Sequence, residues 1–122
     1  MIYMELGDLE VYQLAREISR DVWVMYDRLD WHDKKITGDQ WIRAIDSVGA
    51  NLAEGFGRFH YLDKNKFNYN ARGSLQEARH WTDILREHKK ITDQECVMLI
   101  SKLDKLNVKI NNYISATRNQ VK

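Results

Sequence analysis

The sequence has no proline, one cysteine and no long apolar run. Globular chains carry about 5% proline, so roughly six were expected in this length. Without them no ring blocks a helix anywhere, and glycines and capping residues must supply the punctuation. The lone cysteine, Cys96, forms no intrachain disulfide and supplies no thiolate zinc site. No stretch nears the ~20 apolar residues of a membrane helix, and Met1–Glu5 lacks the basic-then-apolar layout of a signal peptide. The expectation is a cytoplasmic protein of bacterial type with no membrane partner. Neither sign of charge dominates: 19 basic residues face 18 acidic ones, for a net charge of +1. Bulk charge therefore does not point to nucleic acid.

What is present is a core. The chain of 122 residues is 43% hydrophobic, which excludes simple disorder and suits one domain over 1–122. Four stretches repeat apolar residues at spacings of three and four. The first, about 8–29, opens at Asp8 as N-cap and carries Val11, Leu14, Ala15, Ile18, Val22, Met25, Tyr26 and Leu29. Asp30–Ile36 is polar and reads as a connector. The second, about 38–57, starts with a Thr37–Gln40 capping box and carries Trp41, Ile45, Val48, Leu52 and Phe56. Gly49, Ala50 and Ala53 allow a close neighbour, and Gly55 or Gly57 offers a left-handed end. The third, about 63–88, opens at Asp63 with Phe67, Ala71, Ser74, Ala78, Trp81 and Leu85 inward, and Gly73 as another point of close contact. The fourth, about 93–117, starts with a Thr92–Glu95 capping box and carries Cys96, Leu99, Ile100, Leu103, Leu106, Ile110, Tyr113 and Ile114. Four amphipathic helices with short connectors predict an all-α fold, an antiparallel up-down-up-down four-helix bundle. Trp23, Val24, Trp31, Phe59, Tyr61, Tyr69 and Met98 lie off these stripes and predict a homo-oligomer.

Charge is unevenly spread. Residues 1–40 hold five basic and nine acidic side chains, residues 41–90 nine and six, and residues 91–122 five and three. The best functional segment is Arg58–Arg72. It interleaves Arg58, Lys64, Lys66 and Arg72 with Phe59, His60, Tyr61, Phe67 and Tyr69. Cations can meet phosphates, and His60, Tyr61 or Tyr69 can stack bases, so an RNA or RNA–protein partner is one reading. The other is that the aromatics pack the hairpin corner and the lysines are ordinary surface. Enzymatic alternatives find little. Gly55-Phe56-Gly57 follows a helix and precedes no Gly-Lys-Ser/Thr. Glu77-Ala78-Arg79-His80 has di-iron spacing in one copy, where two are needed. Cys96 lies on an apolar stripe, and Ser47, Ser74 and Ser101 have no evident base. A non-enzymatic chain with no cofactor and no metal is expected.

Ser47–Arg58 reads Ser-Val-Gly-Ala-Asn-Leu-Ala-Glu-Gly-Phe-Gly-Arg. It resembles the S-I-x-x-N-I-A-E-G-x-G-R signature of the 23S ribosomal RNA intervening-sequence proteins. Phe67, then Ala71-Arg72-Gly73-Ser74-Leu75 and Glu77, match the second half of that signature, with Val48 and Leu52 replacing the usual isoleucines. The resemblance implies an antiparallel four-helix bundle that forms homopentameric rings. It is also distantly similar to the accessory protein of diversity-generating retroelements, a basic pentamer that binds nucleic acid. It assigns no catalytic role to the shared polar residues Asn51, Glu54, Arg58, Arg72, Ser74 and Glu77. Those groups either lock the hairpin or form a polar binding site.

Overall fold

A computed structural model describes residues 4–120. Four long helices account for most of them: α1 (Glu10–Asp27), α2 (Asp39–Phe56), α3 (Tyr61–Glu87) and α4 (Asp93–Arg118). No strand occurs among the described residues.

Each helix buries a stripe at the expected spacing. Val11, Ala15, Ile18, Val22 and Met25 of α1 meet Trp41, Ile45, Val48 and Leu52 of α2, and α4 closes the core with Leu99, Leu103, Leu106, Ile110 and Ile114. On α3 the buried set is Asn65, Asn68, Ala71, Leu75, Ala78, Thr82 and Leu85. Phe67, Ser74 and Trp81, expected inward, are only half-buried. The stripe is rotated because three polar side chains find partners inside. Asn65 donates to the Ile114 carbonyl (3.1 Å), Asn68 donates to Asn65 Oδ1 (3.0 Å), and Thr82 accepts from the Trp41 indole (2.9 Å). Of the off-stripe residues, Met98 packs half-buried against the core, whereas Trp23, Val24, Trp31, Phe59, Tyr61 and Tyr69 are exposed.

The helices form a closed circuit in which α1 touches α2 and α4, and α3 touches the same two. Along each contact, residue numbers rise on one helix as they fall on the other. Glu10 pairs with Lys109, Glu17 and Asp21 with Lys102, and Arg28 with Glu95. Ser19 donates to Asp46 and Tyr26 to Asp39 across α1 and α2. Trp41 reaches Thr82 and Ser74 reaches Ser47 across α2 and α3. Arg72 reaches Asn111 and Arg79 reaches Asp104 across α3 and α4.

The punctuation differs from expectation in several places. Asp8 does not cap α1. It closes a 3-10 turn, Leu6–Asp8, by accepting from the Glu5 amide (3.0 Å). The supposed connector before α2 is helical from Trp31. Asp30 is the N-cap, accepting from the Asp33 amide (2.8 Å), and a π-helical segment, Lys34–Gly38, runs on into α2. Thr37 therefore lies inside a helix and caps nothing. Gly38 permits the join, because a Cβ there would lie 3.0 Å from Leu29 and Tyr26 side-chain atoms. Helix α3 starts at Tyr61, with His60 as an N-cap that makes no side-chain bond. No described glycine is left-handed; Lys89 is (φ 60°), beside the C-cap of α3. The Thr92–Glu95 capping box forms as expected.

Candidate nucleic-acid interface

The glycine-rich end of α2 shows why the motif is built as it is. Gly55 lies under α3, where a Cβ would stand 3.0 Å from the Lys64 carbonyl oxygen and 3.1 Å from Phe67 Cβ. That approach lets Lys64 reach back, and its Nζ donates to the Phe56 carbonyl (3.0 Å) and toward that of Gly55 (3.5 Å). The last carbonyls of a helix lack intrahelical donors and carry partial negative charge, so a lysine there is a cap. Arg58 is committed nearby: it donates to Glu54 (2.6 Å) and covers the Phe67 ring at 4.8 Å. Asn51 donates to the Ser47 carbonyl (2.9 Å) and hydroxyl (3.0 Å), and Ser74 donates to the same hydroxyl (3.0 Å). The Lys64 and Ser74 bonds and the Arg58–Phe67 contact tie α2 to α3.

The six signature polar residues do not converge. Glu54 and Arg58 pair on α2 and just beyond it, Asn51 and Ser74 meet through Ser47, and Arg72 turns to α4. Glu77 is exposed and makes no side-chain hydrogen bond or ion pair among the described residues. Gly73, expected at a close contact, has nothing within 4 Å of a Cβ. Cys96 is buried; desolvation, with the Asp83 carboxylate nearby, raises its thiol pKa, against a nucleophilic role. No group of three or more metal-ligating side chains occurs among the described residues.

The candidate RNA-contacting residues also divide. Arg58 and Lys64 are engaged as above. His60 and Tyr61 lie at the exposed α2–α3 corner, where His60 meets Phe59 edge-on with centroids 5.1 Å apart. Lys66, Tyr69 and Arg72 follow at three-residue spacing on α3, the spacing of neighbours along a helix surface. Lys66 is exposed with no ion pair among the described residues. Arg72 covers the Tyr69 ring at 5.1 Å and donates to Asn111 Oδ1 (3.0 Å).

One partner escaped the sequence reading. Arg118, in the last turn of α4, donates from Nη2 to the Tyr69 hydroxyl (2.8 Å). It belongs to a pattern legible in the sequence once the helices are paired. Residues 64–76 contain Lys64, Lys66 and Arg72 and no carboxylate, and residues 105–122 contain Lys105, Lys109, Arg118 and Lys122 and none either. The Asn65–Ile114 and Arg72–Asn111 bonds place these acid-free runs side by side. Lys109 is balanced from α1 by Glu10 (3.2 Å), whereas among the described residues Arg72 and Arg118 touch only neutral groups.

A second surface was also missed. Between α1 and α2 runs an open groove of about 690 Å³, with Gly49, Ala50 and Ala53 as floor and Tyr12, Arg16, Trp23 and Val24 as walls. Trp23 is fixed by an indole bond to Asp46 (3.0 Å) and by edge contact with Tyr26.

Comparison with known proteins agrees with this architecture. A search of the curated proteins gives no match. A solved structure from Bacteroides thetaiotaomicron, a protein with unknown function from the S23 ribosomal protein family, is similar in fold. It superposes with a TM-score of 0.78 at 20% identity, over 85% of this chain and 97% of that one. The family model for the 23S rRNA-intervening sequence protein matches residues 7–112, and the chain belongs to that family.

Proposed function

We propose that this chain is a non-enzymatic, antiparallel up-down-up-down four-helix bundle that binds RNA, alone or within an RNA–protein complex, through its α3/α4 face. The observation that carries the reading is the pairing of two acid-free runs, with Lys66, Arg72 and Arg118 without a carboxylate partner among the described residues. Phosphates are the abundant anions of RNA, and releasing their counterions drives association. The near-neutral total does not oppose this, because the acidic side chains concentrate in residues 1–40. Fluorescence anisotropy of labelled structured and single-stranded RNA tests it. With three phosphate contacts per chain on a single strand, the log–log salt slope should be about −2. Absence of binding at low salt, or binding indifferent to salt, contradicts the reading.

A second reading, a homo-oligomeric assembly module, is favoured by the α1/α2 groove. Its small-residue floor admits the backbone or a side chain of another copy, and Trp23 and Val24 are apolar surface that a monomer leaves wet. The two readings are compatible, since a pentamer would present five basic faces and gain from multivalency. Light scattering should show an oligomer at micromolar concentration, and Ala50→Glu in the groove should shift it toward monomer. A stable wild-type monomer contradicts this second reading.

A further inference from the structure

We propose that Tyr69 is the post of an arginine clamp, and that Arg72 and Arg118 held on it grip the phosphodiester backbone of an RNA strand. The inference rests on the RNA-binding reading above and gives it a site and a mode of recognition. The sequence makes Tyr69 a platform on which a base could stack. In the structure the Arg72 guanidinium covers one face of the ring at 5.1 Å, and Arg118 occupies its hydroxyl at 2.8 Å. A base cannot lie on the face that Arg72 covers.

The arrangement is unusual in its charge. Two guanidiniums share one phenol and therefore repel each other, and their partners, a phenol and the Asn111 carboxamide, cancel neither charge. On the same face Arg79 pairs with Asp104, and Arg16 on α1 is held singly on the Tyr12 phenol; at Tyr69 two guanidiniums share one ring. The contacts fix both arginines in place while engaging few donors. A guanidinium has five N–H groups, and each of these two spends a single one on a hydrogen bond among the described residues. The remaining forks match the paired oxygens of a phosphodiester. Lys66, one turn before Tyr69 on α3, adds a third cation alongside. Every charged group presented is a donor suited to phosphate oxygens, which each nucleotide of a strand carries whatever its base. The strand is therefore held by its backbone, without regard to sequence.

The test uses the full chain and a fluorescein-labelled 20-nucleotide oligouridylate, followed by anisotropy across a salt series. Arg72→Gln and Arg118→Gln should each weaken binding about tenfold at low salt, the loss of one charge-assisted contact. Each should flatten the log–log salt slope by about 0.7. Tyr69→Phe keeps the ring but removes the acceptor that positions Arg118. It should reproduce the Arg118→Gln loss and slope change, and the double variant should be no weaker than either single one. Arg43→Gln, an exposed cation on α2, should leave the slope unchanged. An abasic oligodeoxynucleotide of equal length should compete as well as an unlabelled DNA strand that carries its bases.

A Tyr69→Phe protein with wild-type slope, or an abasic strand that fails to compete, overturns the clamp. So does wild-type binding that none of the three clamp substitutions alters, although RNA binding by another part of the face would then survive. Absence of wild-type binding removes both. Tyr69, Arg118 and Arg43 are exposed and Arg72 is half-buried, and an unchanged melting temperature confirms that any loss is local.

Discussion

Replacing Gly55 with alanine sets two effects against each other. Alanine in a helix interior is favoured over glycine by about 1 kcal/mol. Here the new methyl would stand 3.0 Å from the Lys64 carbonyl oxygen and 3.1 Å from Phe67 Cβ. The first obstacle is backbone held in α3, so it moves only if α3 moves. Forcing a methyl into such a contact costs about 1–3 kcal/mol and works against the Lys64 cap on α2. At the middle of that range the cost exceeds the propensity gain, for a net destabilisation of about 1 kcal/mol. Gly73→Ala is the internal control: a Cβ there meets nothing within 4 Å, so only the propensity gain remains, about +1 kcal/mol. For a chain of this size, 1 kcal/mol is about 4 °C in melting temperature. Urea and thermal unfolding followed by circular dichroism should place Gly55→Ala below wild type and Gly73→Ala above it. A Gly55→Ala protein as stable as wild type would refute the close-approach account of this signature glycine.

Other consequences are more local. Thr82→Val keeps the side-chain shape but strands the buried Trp41 indole N–H, and should cost about 1–3 kcal/mol in urea unfolding. Burial acts to raise the Glu95 pKa, but the Thr92 amide and Arg28 together outweigh it and hold it below the usual value of 4.5. Its contribution to stability is therefore complete above pH 4.5 and lost as pH falls through the depressed folded value. Glu95→Gln should flatten that acid limb in a pH series of urea midpoints. Cys96 should react with a thiol reagent only as fast as the fold opens, so its labelling rate should rise with urea in step with unfolding.

The helices were legible because most of their apolar spacing is set by burial alone. The stripes of α1 and α4 coincide with the buried sets apart from half-buried members such as Leu14, Tyr26, Ile100 and Tyr113. On α3 the same logic failed, because it followed the large side chains Phe67 and Trp81. Asn65 and Thr82 enter the core through partners on other helices, which periodicity cannot show. The Thr37–Gln40 capping box was a false start, since Asp30 caps earlier and Gly38 lets the helix run through. For the candidate site, Tyr69 and Arg72 stood out by proximity in sequence. Arg118 did not, because it lies 49 residues from Tyr69 and is joined to it only by packing of α4 on α3. The useful signal was the absence of carboxylates from two separate runs, which counting charge over fixed blocks of sequence obscured.

The most direct measurement is ultraviolet crosslinking of the wild-type protein to RNA at low salt, with the linked peptides located by mass spectrometry. Crosslinks should fall within residues 64–76 and 105–118, around Tyr69 and Arg118, and disappear at high salt. Crosslinks confined to the α1/α2 groove, or none at low salt, would contradict the account.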